Sequence, residues 1–506
     1  MKLSELLSAL PLKQILGEGD PDIGGIFQDS RQVAGNSLFV AIPGLRVDGR
    51  AFIPEAIRRG AAAVVAERSV DGMPEAHDLG VPVVIVPNAR RALAFLSAAL
   101  QGFPARKLKV VGITGTDGKT TTSFLVSAIL EAAGHSTGVI GTVDFKIGQR
   151  LWSNETGQST PEAPAIQELL AEMVAEGMDF AIIESTSHAL VLDRVAACEY
   201  DAAVFTNLTA EHLDFHRDVD QYLQAKSRLF TLLGESIDKG IPKTAVLNAD
   251  DRSFDFLRQV AKGRVVSYGI DREADFRADD IRLSGTGTSF RLTAPAGQVE
   301  LTTRLLARYN VYNALAAIAL CSTLGVTLDV IQRCLADFSG VSGRWERVDH
   351  GQPFAVFVDF AHTPAAMEKS LTFLRSQTAG RVLLVFGCPG ERDELKRPAM
   401  GELAARLSEF FVITTDTPHH EEPGRILDQV EAGAKQAGAV VGTNYEKLID
   451  RFEAIRLVLA RARPGDAVLI AGRGHEKYID YGHLRVACDD REVVREILRR
   501  KDASLA

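Results

Sequence analysis

The chain has 506 residues, 46% of them hydrophobic and 24% charged, and its 57 lysines and arginines against 66 aspartates and glutamates leave a net charge of −9. At roughly 150 residues per domain, that length predicts about three domains with a core each. The acidic balance argues against a general nucleic-acid or anionic-membrane surface, no apolar run is long enough to span a bilayer, and five scattered cysteines without a Cys-x-x-Cys pair imply neither a disulfide framework nor a zinc site, only reduced and mostly buried thiols.

The first seven residues, Met-Lys-Leu-Ser-Glu-Leu-Leu, read as an ordinary amphipathic helix, because an acidic residue interrupts the apolar pattern and no small-residue cleavage site follows. Residues 37–42, 62–66 and 81–86 read as strands, with helical patterns near 52–59 and 89–101. The polar, proline-containing stretch 102–107 reads as a linker.

Residues 110–122, Val-Val-Gly-Ile-Thr-Gly-Thr-Asp-Gly-Lys-Thr-Thr-Thr, are the most informative stretch. An apolar strand breaks into a glycine-spaced loop ending in Gly-Lys-Thr, and a helical pattern follows. That order cradles phosphate: Gly115 and Gly118 let backbone N–H groups approach the oxygens, Lys119 neutralises the β- and γ-phosphates, and the Thr120 hydroxyl coordinates Mg²⁺. Ile113 stands where the strict P-loop pattern has glycine, so the loop is a variant. ATP binding is the first expectation, with Mg²⁺ as its ion.

Beyond the loop, apolar runs at 180–184, 202–206 and 244–248 alternate with helical patterns, the rhythm of a parallel sheet with crossover helices. Residues 264–303 alternate in short runs and predict an antiparallel appendage. A third region from about residue 340 repeats the βα rhythm with runs at 355–359, 382–387, 410–413 and 467–471. Glu184 and Asp359 each end an apolar strand, where ligands of open parallel sheets sit. Lys226 and His212 carry no such signal: on helical spacing alone, Lys226 reads as a solvated residue and His212 as a capping or core histidine.

Taken together, these motifs resemble the Mur ligase family over nearly the whole chain. The phosphate motif matches Gly115, Thr116, Asp117, Gly118, Lys119, Thr120 and Thr121; the strand-end glutamate matches Glu184; and the histidine motif matches residues 211–214. The lysine that members carry as a carbamate bridging to Mg²⁺ matches Lys226. The adenine-side motif, with Asn310, matches residues 308–313, the hinge with Arg344 matches 343–346, and Asp359 with His362 matches a segment near the nucleotide ribose and phosphates.

The resemblance implies an α/β fold of three domains: a uridine-binding domain at 1–105, a central P-loop-type ATPase domain with a parallel sheet at 106–338, and a Rossmann-like amino-acid-binding domain at 339–506. It also implies a cytoplasmic, monomeric enzyme of peptidoglycan synthesis that uses ATP to join a diamino acid to UDP-N-acetylmuramoyl-L-alanyl-D-glutamate through an acyl-phosphate. Lys119, Glu184, His212 and Lys226 are the implied catalytic set, and Thr120, Glu184, His212 and carbamylated Lys226 the implied Mg²⁺ ligands. Ser30, Leu45, Arg46, Val47, Ser159, Thr160, Thr186, Leu192 and Arg194 match the UDP-substrate contacts. Arg392, Asp416, Thr417, Pro418, His419, Gly472 and Glu476 match the amino-acid pocket, with Arg392 gripping the α-carboxylate.

Four positions depart from the family pattern. Members that add meso-diaminopimelate usually read Asp-Asn-Pro-Arg where this chain has Asp416, Thr417, Pro418 and His419, so the arginine facing the distal carboxylate is absent. Either lysine or ornithine is the substrate, or His419, His420 or Arg425 stands in for the arginine; the reading leans to lysine or ornithine. Leu192 replaces a usual glutamine, and Ala307 a usual glycine. The alternatives are a folylpolyglutamate-synthetase-like ligase of the same fold, a P-loop kinase or transport NTPase, and a non-catalytic nucleotide-binding module.

Overall fold

A computed structural model describes residues 1–44, 47–67, 79–209, 211 and 213–503. Three main sheets follow one another along the chain. The first has five strands, in the order Gln14–Leu16, Val83–Val86, Ala61–Glu67, Ser37–Ala41 and Gly25–Phe27, parallel except for the first. Its apolar strands bury both faces, as parallel strands covered by helices must.

The second sheet has eleven strands. At its centre Lys109–Thr114 lies between Phe180–Glu184 and Ala202–Phe205, with parallel register to both. Thr137–Ile140 extends one side, and Thr244–Asn248 and Arg264–Gly269 extend the other, all parallel. Two buried clusters cover the two faces, one around Ile113, Leu125 and Ile182 and the other around Val110, Ile183 and Leu229. Each fully buried valine, leucine or isoleucine there contributes about 1.5–3 kcal/mol.

The expected antiparallel appendage is part of this same sheet. Arg264–Gly269 is its sixth parallel strand, the start of Phe276–Ser284 pairs parallel with it, and Phe276–Ser284, Gly287–Ala294 and Gly297–Thr303 then form an antiparallel meander. A second extension, the hairpin Asp144–Ile147 with Arg150–Ser153, closes the opposite edge. The stretch read as a linker is instead a packed turn: Pro104–Lys107 form a 3₁₀ helix with Pro104 and Ala105 buried.

The third sheet runs Glu346–Arg347, Ala355–Asp359, Ala467–Ala471, Val382–Phe386, Phe410–Thr414 and Tyr445–Leu448, parallel after its first pair. No helix among the described residues is long and apolar enough to cross a membrane. The described cysteines are all free, and Cys198, Cys321 and Cys388 are buried.

Candidate active site

The chain crosses to both sides of Lys109–Thr114, which makes the C-terminal end of that strand the switch point of the central sheet. The glycine loop stands there. Gly118 (φ 85°) caps the helix Lys119–Ala132, and a Cβ at this position would run into the Asn313 side chain. Neighbouring strand ends clamp the loop: the Thr206 hydroxyl and Asn207 Nδ2 donate to the Asp117 carbonyl at 2.6 and 3.1 Å, while Asn207 Oδ1 accepts from the Asp117 N–H at 3.0 Å. Lys119 Nζ donates to the carbonyls of Gly115 (3.0 Å) and Thr116 (2.8 Å), and Thr120 and Thr121 are buried in the first helical turn.

Lys226 comes to the same point from a different element. It lies on the helix Val219–Glu235, is 2% exposed, and donates to the Gly115 carbonyl at 2.7 Å with its ammonium 4.1 Å from the centre of the Tyr222 ring. Burial, then the nearby Lys119 charge, push its pKa well below the lysine range, with Glu211 opposing. The solvated-residue reading is overturned: the helical pattern gives the face but not what packs on it.

Glu184 is fully buried at its strand end. Its carboxylate accepts the Thr142 N–H at 2.9 Å, and the Thr142 hydroxyl lies 2.8 Å from both Glu184 Oε2 and Ser159 Oγ. A polar ledge continues from it. Thr160 donates to the Glu184 carbonyl at 2.6 Å and accepts the Thr186 N–H at 3.1 Å, while Arg194 donates to the Thr160 carbonyl and pairs with Glu162. Thr186 caps the short helix Ser187–Val191, and half-buried Leu192 ends it.

The third sheet presents Asp359 and Arg344 to this region. Asp359 accepts the N–H groups of Trp345 and Ala361, both at 2.8 Å; burial raises its pKa and Arg344 opposes. Arg344 lies 4.2 Å over the Phe360 ring. Asn310 bonds the Leu306 carbonyl and accepts from Asn313, the side chain that abuts Gly118. His362 Nε2 stands 3.8 Å from Glu211, but burial takes this imidazole down to about 3, so it faces Glu211 as a neutral ring. Lys369 lies 3.7 Å from Asp117 across the same boundary.

At the far end, the loops after Phe410–Thr414 and Ala467–Ala471 bring the Asp416 and Glu476 carboxylates into one acidic pocket around Arg473. Asp416 is buried, and among the described residues its Oδ2 has no hydrogen-bond partner. Gly472 (φ 107°) passes so close that a Cβ there would lie 2.7 Å from that oxygen. Arg473, fully buried, donates to the Thr417 hydroxyl at 2.8 Å and lies 3.3 Å from Glu476. Burial and then the Asp416 charge push the Glu476 carboxyl up to about 7, with Arg473 opposing. His419 (φ 51°) follows buried Pro418 and donates its N–H to the Asp480 carbonyl at 2.9 Å.

Residues 113–321 match the Mur ligase middle domain, 343–474 the Mur ligase glutamate ligase domain, and 22–101 the Mur ligase family catalytic domain. A UDP-N-acetylmuramyl-tripeptide synthetase of Roseiflexus sp. (strain RS-1) is 46% identical over 98% of this chain and 99% of its own. The chain belongs to the Mur ligase family. A UDP-N-acetylmuramoyl-L-alanyl-D-glutamate–2,6-diaminopimelate ligase of Bacillus velezensis is 44% identical over 97% of the chain and 98% of its own. A solved structure of a ligase with that same name superposes with a TM-score of 0.69 at 29% identity, covering 99% of this chain and 100% of its own. A MurF ligase from Thermotoga maritima in complex with ADP shares the fold, with a TM-score of 0.62 at 21% identity and coverage of 95% and 98%.

Not every expected Mur contact gathers here. Leu45, Arg46 and His212 lie outside the described residues. Ser30 is buried and donates to Glu55 at 3.2 Å, whereas Val47 is 58% exposed. Arg392 is exposed, and no hydrogen bond or ion pair joins its side chain to the other described residues. Conversely, Thr142, Thr206 and Asn207 shape the loop and the glutamate though no motif contains them, and Asn313 of the adenine-side motif abuts the loop. Their signal was position: Thr206 and Asn207 directly follow a parallel strand of the sheet. His216 was missed too; its Nε2 lies 2.9 Å from Ser187 Oγ and its ring 5.1 Å from that of Tyr222.

Proposed function

We propose that the chain uses ATP to join a diamino acid to the D-glutamyl γ-carboxylate of UDP-N-acetylmuramoyl-L-alanyl-D-glutamate, in the cytoplasm. One observation carries the reading. Two lysines from separate elements, Lys119 and Lys226, converge on the Gly115 carbonyl beside Glu184, and the ledge of Ser159, Thr160, Thr186 and Arg194 runs on from that glutamate.

The chemistry follows from that adjacency. The loop N–H groups and Lys119 hold the ATP phosphates, with Asn310, Arg344 and Asp359 on the nucleotide side. The ledge holds the muramoyl dipeptide so that a γ-carboxylate oxygen attacks the γ-phosphorus, ADP leaves, and an acyl-phosphate results. The amine of the incoming amino acid then attacks the acyl carbon and loses a proton as the carbon–oxygen bond to phosphate breaks. Fixed position and fixed charge do most of this work.

The residues suit Mg²⁺. Thr120 and Glu184 offer hard oxygen donors, and Lys226 as a carbamate would add more; burial and the Lys119 charge disfavour its ammonium form, and carbon dioxide adds to the free amine. No group of three or more histidines, cysteines, aspartates or glutamates able to hold a metal gathers among the described residues. Few protein ligands is the usual pattern for an ion that keeps waters and shares phosphate oxygens. When bound, it neutralises phosphate charge.

Asp416 and Glu476 suit a side-chain ammonium, and His419 offers no permanent cation to a distal carboxylate. Diaminopimelate, the 2,6-diaminopimelate of the Bacillus relative's name, carries that ammonium too but adds a distal carboxylate that these acids would repel, so lysine or ornithine fits better than the meso isomer. Kinetics on the three amino acids side by side test this. The expected outcome is higher kcat/KM for lysine or ornithine, with His419→Arg shifting preference toward meso-diaminopimelate by tenfold or more, since a charge-assisted partner is worth roughly 2–5 kcal/mol. A hundredfold preference of the unmodified enzyme for meso-diaminopimelate would overturn it.

A further inference from the structure

Behind the acidic pocket lies a charge pair that the reaction itself does not use. Arg451 opens the helix Arg451–Arg461, and Asp490 opens the last helix, Asp490–Ala503. Both side chains are completely buried. They meet as a two-pronged pair, Nε to Oδ1 and Nη2 to Oδ2, each at 2.7 Å. The remaining donors of the same guanidinium reach two backbone carbonyls, Thr415 at 3.1 Å and Ala471 at 3.0 Å.

Those two carbonyls immediately precede Asp416 and Gly472. They lie at the ends of two strands separated in the sheet by Val382–Phe386, where ladder hydrogen bonding gives out. Arg473 ties the same parts together from the other side, donating to the Thr417 hydroxyl at 2.8 Å and to the Cys488 carbonyl at 3.2 Å. Segment 488–490 is thus fastened to loop 415–417 through two buried arginines. A planar guanidinium sets the spacing of its acceptors rigidly. Burial alone gives no reason for an ion pair here, because apolar side chains of the same volume would often serve as well or better.

We infer that Arg451 and Asp490 are positioning residues for the amino-acid site: the pair fixes the separation of loop 415–417 from loop 472–476, and with it the distance between the Asp416 and Glu476 carboxylates. The inference rests on the reading of that pocket given under the proposed function. It links the start of the last helix to amino-acid affinity.

Asp490→Asn keeps the shape and removes the charge, and Arg451→Lys keeps the charge and removes the fork. For each variant, KM is measured for ATP, the UDP-muramoyl dipeptide and the amino acid. Acyl-phosphate formed without amino acid is trapped by hydroxylamine as the hydroxamate. The expected result is a tenfold or greater rise in amino-acid KM in both variants, with the other two KM values and the hydroxamate yield within twofold of the unmodified enzyme. An amino-acid KM within twofold, three KM values rising together, or loss of the folded protein in Asp490→Asn would assign the pair to general stability and overturn the inference. Glu476→Gln is the control for the pocket. If it leaves amino-acid KM unchanged, the pocket assignment itself fails; if it raises KM while Asp490→Asn does not, only the positioning role fails.

Discussion

A lysine buried to 2% exposure on the inner face of a helix, donating to the very carbonyl that the loop lysine uses, is an expensive arrangement unless the amine changes its chemistry. Carbamylation would turn Lys226 from a second cation into an oxygen-bearing anion, and that resolves the crowding of like charge beside Gly115. Lys226→Ala is therefore expected to lose nearly all ligation, with partial rescue by added short carboxylates that supply the missing oxygens. Full activity of Lys226→Ala in bicarbonate-free buffer would exclude the carbamate. Glu476 makes a second prediction at this scale. Its carboxyl is raised to about 7 by burial and by Asp416, with Arg473 and Arg451 opposing and Asp490 adding to the rise. A raised carboxyl is protonated below that pH and cannot then pair with an ammonium. Amino-acid KM should fall as pH rises through 7, and should increase about tenfold per unit below about 6 as one proton is taken up. The dependence should vanish in Glu476→Gln, whose KM stays high throughout; an unchanged profile in that variant would contradict the assignment.

Among the elements, the helix Arg308–Thr323 starts under strain. Its cap, Ala307, has φ 70° and ψ 151°, a conformation that residues other than glycine rarely adopt. Ala307→Gly should raise stability by about 1 kcal/mol, read as a higher urea midpoint, because relieved strain exceeds the entropy that glycine loses. A lower midpoint would mean that the buried methyl, packed with Leu306 and Trp345, contributes more than the strain costs. The strands flanking Gly115 and Asp359 were legible in the sequence because buried parallel strands read as unbroken apolar runs bounded by turns. The edges were not: Phe276–Ser284 and its partners alternate like a free-standing sheet, and nothing local says that Arg264–Gly269 joins them to the parallel core. Arg451 and Asp490 were illegible for a related reason. Charged residues opening a helix or following a strand look solvated until three distant segments close over them.

At the scale of the whole molecule, contacts across the sheets place the two ends of the reaction together. Asp193 is held by Asn88 from the first sheet's last helix at 3.0 Å and by Arg228, two residues beyond Lys226, at 2.6 Å. Lys369 meets Asp117, and Lys396 donates to the His362 carbonyl beside Glu211. Apolar contacts accompany these polar ones, with Leu306 and Ala307 packed on Trp345 and Ala163 and Ala197 on the first sheet's core, and a ligase handling three substrates requires such joined bodies to separate and close around them. A ligase of this kind releases phosphate only when an amide is made. Phosphate release is measured with each substrate omitted in turn. Release is expected to equal the amide formed, to require ATP, the UDP-muramoyl dipeptide and a diamino acid together, and to fall by about 10²–10³-fold or more in Lys119→Ala. Undiminished release without the dipeptide or without the amino acid would make the chain an NTPase or kinase and contradict the ligase reading.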